Sequence, residues 1–253
     1  MAWFFRTYGV IAAYYIAAVC TFLLITFYWK VPFSIKKKEV SKDKVRQILN
    51  ISIISMLNNG LTQLMYLLDV FVLGFCVRQE VVIASYKNAT LIPTGLAFIP
   101  GAIIIYVYPY FARNRLNKNW VKRNYARLTI YVGALNVLIA IGLIAFAPFV
   151  IRVFFGTQYL DALVPFRILC ASFAISGTFR VITGNLLVTQ RKLTFNLFTG
   201  ILSGLINTTL NIVLINLWGA VGAAIATIIT VSIISTLNVW YLLRTFNAIP
   251  ELD

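Results

Sequence analysis

The sequence contains no histidine, and its 253 residues include only seven acids and three cysteines. Without an imidazole, histidine-metal sites and most triad or general-base chemistry are excluded. The acids are Glu39, Asp43, Asp69, Glu80, Asp161, Glu251 and Asp253, and no pair has the spacing of an acid/base couple. An enzyme is not expected. Cys20, Cys76 and Cys170 lie in or beside apolar runs with no close spacing, so they read as small hydrophobes, not as a disulfide framework or a zinc cluster. Charge is scarce too: 11% of residues are charged, against about 25% in a soluble domain. With 60% hydrophobic residues and a mean hydropathy of +0.87, the chain is an integral membrane protein. Its net charge of +15 does not make a nucleic-acid face, because the basic residues are confined to short loops between apolar runs.

What the sequence does have is long apolar runs. A spanning helix needs about 20 predominantly apolar residues, and seven segments qualify, at approximately 8–30, 47–75, 81–110, 127–149, 163–188, 194–216 and 219–243. The expected fold is all-α, with about seven transmembrane helices. The first run, "YGVIAAYYIAAVCTFLLITFYW", is too long for a signal-peptide core and has no small-residue cleavage site after it, so it counts as a spanning helix.

Lysines and arginines in short loops set orientation. Seven fall between Lys30 and Arg46 and six between Arg113 and Arg127, followed by Arg191, Lys192 and Arg244; the alternate loops hold only Arg6, Arg78, Arg152 and Arg167. The N-terminus is therefore expected outside and the C-terminus in the cytoplasm. The basic loop "SIKKKEVSKDKVR" reads as this topology signal, with attraction to anionic head groups as the alternative.

Three helices carry polar or small stripes at helical spacing. The second has Ser55, Asn59, Thr62, Tyr66 and Asp69; the fifth has Ser176, Gly177, Arg180, Thr183 and Gly184; the sixth has Gly200, Gly204, Asn207 and Asn211. Any one stripe is explained by close helix packing, but together with intramembrane charges they point to a hydrophilic cavity, with Asn59, Asn207 and Asn211 among its candidate residues. An arginine at mid-membrane costs about 2.5 to 3.5 kcal/mol on insertion scales, so Arg180 needs a partner or a wet cavity. Its forked donors suit phosphate oxygens, and bonding to helix carbonyls is the structural alternative. Asp69 and Lys87 lie at similar depth on either side of the turn at Arg78, and an ion pair between them is expected. A proton or sodium coupling site at Asp69 is the other reading, and no cofactor is expected. The small residues of "WGAVGAAIATIIT", Gly219 with Ala223 and Gly222 with Ala226, read as a packing scaffold.

The ordered set "VFFGTQYLDALVPFRIL", "ITGNLLVTQRKLTFNL" and "INTTLNIVLINLWGAVGAAIATIIT" resembles the C-terminal part of polysaccharide and O-antigen flippases of the multidrug/oligosaccharidyl-lipid/polysaccharide (MOP) exporter superfamily. Upstream, "LLDVFVLGFCVRQEVVIASYKNATLIPTGLAFIPGAIIIYVYPYFAR" is similar to that family's seventh and eighth helices. The resemblance implies an alternating-access transporter of undecaprenyl-pyrophosphate-linked oligosaccharide in the bacterial cytoplasmic membrane, in which Arg180, and after it Lys87, contacts the pyrophosphate. Such flippases have about 12 to 14 helices in two lobes. Residues 1–31 are accordingly expected to be the last helix of a first lobe, 32–46 a basic cytoplasmic loop and 47–253 a six-helix C-terminal lobe of a truncated or split chain. Expected partners are the lipid bilayer, the lipid-linked substrate and a missing N-terminal lobe or a second copy. A non-transporting membrane remnant or interaction subunit, a multidrug-type exporter of the same superfamily, and a membrane glycosyltransferase or polymerase are the competing readings. The last would want a surface histidine or carboxylate, and only Glu80 and Asp161 lie outside.

Overall fold

Interruptions of helical geometry, at Ala97, Phe146, Ser176–Arg180 and Gly219 among others, decide how these apolar runs are cut. The computed structural model describes residues 2–28, 41–77 and 79–250, and among them no residue is in a β-strand. In chain order the helices are α1 (Ala2–Leu23, continued by a π turn Leu24–Tyr28), α2 (Lys42–Cys76), α3 (Glu80–Leu96), α4 (Phe98–Arg113), α5 (Lys118–Ala145), α6 (Ala147–Phe154), α7 (Leu163–Ile175), α8 (Val181–Thr189) and α9 (Leu193–Asn247). Contacts divide the chain into two compact units, Met1–Arg46 and Gln47–Asp253. The part of the basic loop at 29–40 lies outside the described residues, as does Arg78.

The first unit contributes α1, whose Thr21 hydroxyl donates to the Ala17 carbonyl at 2.8 Å. That bond satisfies the hydroxyl within the helix, so the surrounding surface stays apolar.

In the second unit, four helical stretches are long and apolar enough to cross a membrane: Glu80–Arg113, Lys118–Ala145, Thr157–Thr189 and Leu193–Asn247; α2 has the shorter apolar stretch Leu67–Cys76. The 55 residues of α9 would measure about 80 Å at about 1.5 Å per residue, against a hydrocarbon core of about 30 Å. Gly219, at φ 56° and ψ −132°, breaks it in a conformation that favours glycine. A Cβ on Gly222 would fall 1.9 Å from the Leu214 carbonyl oxygen, so the two limbs fold back at a separation only glycine allows. Far from this turn, Phe195 and Tyr241 stack with ring centroids 3.7 Å apart. The expected sixth and seventh helices are thus the limbs of a hairpin. The small residues of "WGAVGAAIATIIT" lie at its fold, with Gly222, Ala223 and Ala226 buried.

The fourth expected segment differs. Its helix starts at Lys118, well before the apolar run, because the Asn117 side chain accepts from the Trp120 N–H at 3.0 Å and caps it. Much of the expected basic loop 113–127 is therefore the polar first turns of α5. After α5 the chain forms α6 and a 3-10 turn, Thr157–Ala162, which Ser85 ties to α3 by donating to Asp161 at 2.9 Å.

Two apolar cores close the ends of this unit. One gathers Leu73, Tyr86, Ala147, Ile151, Phe166, Ile215 and Ala223 near Val77 and the turn at Gly219. The other gathers Phe111, Val121, Tyr125, Leu186, Leu242 and Phe246 near the turns at 114–117 and 190–192. Large apolar side chains such as Phe75, Ile105 and Tyr131 point outward, as a lipid-facing surface requires. Polar side chains collect between the two cores.

Candidate functional site

The polar region begins where backbone regularity fails. Pro93 has no N–H to donate within α3, and the helix ends soon after it. Ala97 makes a tight turn, its N–H donating to the Thr94 carbonyl at 3.2 Å, before α4 starts. Opposite this break, Ser176–Arg180 form a π turn between α7 and α8, and such turns concentrate at functional positions. This π turn presses against neighbouring helices: a Cβ on Gly177 would sit 2.8 Å from the Asn136 amide nitrogen and 3.1 Å from Pro100 Cγ. Asn136 in turn donates to the Thr178 hydroxyl at 3.2 Å.

Two cavities flank the π turn and share Ser176 and Arg180 as a common wall. The first, of about 290 Å³, is lined by Asp69, Lys87, Thr90, Pro93, Thr94, Ser172, Gly177, Ser203, Asn207, Thr227 and Thr230, with Leu91, Leu169, Phe173 and Val231 as apolar wall. The second, of about 380 Å³, is lined by Ser55, Asn58, Asn59, Gly184, Asn185, Asn196, Thr199, Gly200 and Asn238. Ser176, Gly177, Arg180 and Gly184 thus share polar space, as their stripe implies. Thr183 does not: it is buried and donates to the Phe179 carbonyl. The extra residue in the π turn rotates the helix beyond it, which a constant step per residue does not anticipate.

Asp69 is the node of a hydrogen-bonded cluster on the first cavity. Its carboxylate accepts from Asn211 at 2.7 Å, from the Thr227 hydroxyl at 2.8 Å and from the Tyr86 hydroxyl at 3.4 Å, and Asn207 also bonds it. The second amide proton of Asn211 goes to the Asn207 oxygen at 3.0 Å. Asn211 and Thr227 lie eight residues before and after Gly219, so the hairpin brings both to one depth and closes them on the α2 carboxylate.

The expected ion pair between Asp69 and Lys87 does not form. Among the described residues, the carboxylate's partners are the neutral groups just named, and Lys87 is an exposed residue that lines the first cavity. The depth is right, but the residue that meets Asp69 is Tyr86, one position earlier and about 100° around the helix. Asn211 is also displaced from its expected role: fully buried, it grips Asp69 and lines neither of these two cavities. Asn59 and Asn207 do line cavities, the second and the first respectively. Thr62 and Tyr66 lie outside the described side chains. Sequence reasoning missed Tyr86, Thr227, Asn196 and Asn238. Treating Gly219 as a turn would have found Thr227, by its symmetry with Asn211.

The model of a family described as "Polysaccharide biosynthesis protein" matches residues 1–165. A search of curated proteins returns no match. Among solved structures, a MOP superfamily transporter from Pyrococcus furiosus is similar, with a TM-score of 0.67 and 18% identity over 81% of this chain and 46% of that one. A multidrug resistance MATE family transporter of the same superfamily, in an outward-facing conformation, gives a TM-score of 0.66 and 18% identity over 81% and 46%. The chain therefore spans less than half the length of either structure. At that identity the likeness is one of fold: several apolar helices arranged as in MOP transporters, which makes this a multi-pass membrane protein. By its family match over most of its length, the chain belongs to the polysaccharide biosynthesis protein family.

Proposed function

We propose that this chain supplies a lobe of a flippase that moves an undecaprenyl-pyrophosphate-linked oligosaccharide across the bacterial cytoplasmic membrane, with the N-terminus outside and the C-terminus inside. The observation that carries the reading is Arg180 on the wall between two cavities inside an apolar bundle. A guanidinium keeps its charge when partly desolvated and offers paired donors to phosphate oxygens. Lys87 adds a second cation to the same cavity. The acid there, Asp69, is engaged by neutral donors, so the balance favours an anionic cargo over the cationic cargo of a drug exporter. A missing lobe or a second copy would complete the cavity, and no covalent chemistry is needed for the transfer.

Asp69 with the side-chain oxygens of Tyr86, Asn207, Asn211 and Thr227 is a donor set suited to a proton or a small hard cation. These groups come from α2, α3 and both limbs of α9, so an ion there would bias how the helices pack. This assigns ion coupling to Asp69 and cargo binding to Arg180.

The test is flipping of a fluorescent polyprenyl-pyrophosphate oligosaccharide by the full chain in liposomes. Flipping that falls at least about tenfold with Arg180→Gln, and that depends on a proton or sodium gradient only while Asp69 is present, is the expected result. Flipping that Arg180→Gln leaves unchanged would reject the cargo assignment, and no flipping by a well-folded chain would favour an interaction subunit.

A further inference from the structure

The turn between α8 and α9 carries a side chain where its backbone favours none. Among the described residues, Arg191 is the one non-glycine residue with a positive φ, at 60°. The Lys192 N–H donates to the Leu187 carbonyl at 2.8 Å and the Arg191 N–H to the Val188 carbonyl at 2.9 Å, which is the Schellman ending of a helix. That ending puts Arg191 in the left-handed region, where glycine folds at least cost. Such outliers persist where the surrounding structure holds them, and they concentrate at binding and switching sites.

The turn is held on both flanks. Before it, the Gln190 side chain donates to the Arg115 carbonyl at 3.3 Å. After it, Asn196 donates to the Gly184 carbonyl at 2.7 Å, and Phe195 stacks on Tyr241. Arg191 and Lys192 are nevertheless exposed, and no acid occurs between Asp161 and Glu251 to offset them. Two cations are thus presented on a fixed backbone, so an anion that meets them orders little of the chain.

Their place in the bundle gives that anion a route. Val188 and Leu193, on either side of the turn, line the second cavity, and Arg180 lines it too. The nine residues of α8 set the turn about 14 Å from Arg180 at about 1.5 Å per residue. Beyond Arg180 the first cavity begins, with Lys87 on its wall. Cations therefore follow one another along the two cavities, first the turn, then Arg180, then Lys87. Passage through a pore needs several sites of this kind, each favourable enough to enter and weak enough to leave. Any base in this loop would serve the orientation rule, but a cavity behind a rigid cationic turn is a matter of position.

We propose that Arg191 and Lys192 form a loading site, which captures the pyrophosphate of the lipid-linked cargo at the cytoplasmic mouth of the second cavity and passes it to Arg180. It rests on the reading of Arg180 as the phosphate contact. A charge at the rim speeds capture, whereas one at the inner site governs release.

The experiment is surface plasmon resonance of the full chain in nanodiscs, with farnesyl pyrophosphate as a short-chain polyprenyl probe. Both ends of the chain face buffer there, so a role confined to insertion would leave association unchanged. Arg191→Gly with Lys192→Gln should slow association about fivefold or more, flatten its salt dependence and leave dissociation unaltered. Arg123→Gln with Arg127→Gln removes two exposed bases of α5, and its association should stay within about twofold of the parent. Arg191→Gly alone should melt no lower than the parent, because glycine suits that backbone. Association within twofold of the parent for the turn variant, an equal slowing by the α5 variant, or a lowered melting temperature for Arg191→Gly overturns the loading site. Arg180→Gln should speed release. A probe that does not bind the unmodified chain, or release that Arg180→Gln leaves unchanged, overturns the pyrophosphate reading itself.

Discussion

The Asp69 cluster and the wall around Arg180 place polar side chains in the same apolar bundle, yet they are built in opposite ways. Around Asp69, nearly every donor has an acceptor within the protein: the Asn211 amide serves two oxygens, and Thr227 serves the carboxylate. Around Arg180, side chains instead border open space, in two cavities of about 290 and 380 Å³ that meet at this residue. A buried hydrogen-bonded cluster fixes the positions of helices, whereas side chains on an open cavity meet whatever enters it. Substitutions at the first should therefore act on folding, and substitutions at the second on cargo.

The largest effect is expected at the hairpin that assembles the first network. Gly222→Ala places a methyl group 1.9 Å from a backbone oxygen, and the backbone cannot yield as a side chain would. The limbs must separate, which removes Asn211 and Thr227 from Asp69 together. We expect failure to fold, or a loss of at least about 3 kcal/mol, seen as a lowered melting temperature in detergent. Gly184→Ala, where a Cβ meets nothing within 4 Å although the residue lines the second cavity, should melt as the parent does. Equal melting of the two variants would mean that the limbs are not held as described.

Asp69→Ala comes next. It leaves the donors of Asn211, Thr227 and Tyr86 buried without their common acceptor, at about 1 to 3 kcal/mol for each group that finds no substitute. Asp69→Asn keeps one acceptor oxygen and should lose less. Chemical denaturation of the two variants reads the difference, and a loss for Asp69→Asn equal to that of the alanine variant would show that charge, not hydrogen bonding, holds the cluster.

Much of this arrangement was legible in the sequence as periodicity. The apolar runs mark the helices, and the steps of three and four that align Ser176, Gly177 and Arg180 put them on one polar surface, because a helix repeats its faces regularly. What was not legible depends on departures from that regularity. The Pro93 break falls inside one apolar run, and hydropathy does not register a missing N–H. The π turn shifts every residue after Arg180 by a fraction of a turn, which moves Thr183 into the protein interior. Gly219 reads as one of several small residues in a packing stripe, whereas its φ of 56° makes it the point about which Asn211 and Thr227 are symmetric. Pairing across that turn is a tertiary relation, and opposite charge at similar depth pointed instead to Lys87 as the partner of Asp69.

The smallest expected effect is the one that isolates that choice. If Lys87 neutralised Asp69 in a buried pair, Lys87→Ala would strand a carboxylate and cost about 3 to 5 kcal/mol. In the structure Lys87 is an exposed residue on the first cavity, and the carboxylate is held by Asn211, Thr227 and Tyr86. Removing an exposed charge away from such a network changes stability by no more than about 0.5 kcal/mol. Lys87→Ala should therefore melt like the parent while Tyr86→Phe, which deletes a buried donor to Asp69, melts lower. The cation then acts on whatever enters the cavity: Lys87→Ala should weaken binding of undecaprenyl pyrophosphate by a few-fold, and less at high salt, where a charge facing water is screened. A Lys87→Ala variant that unfolded early would restore the ion pair and erase the distinction between the two regions, since one residue would then serve both.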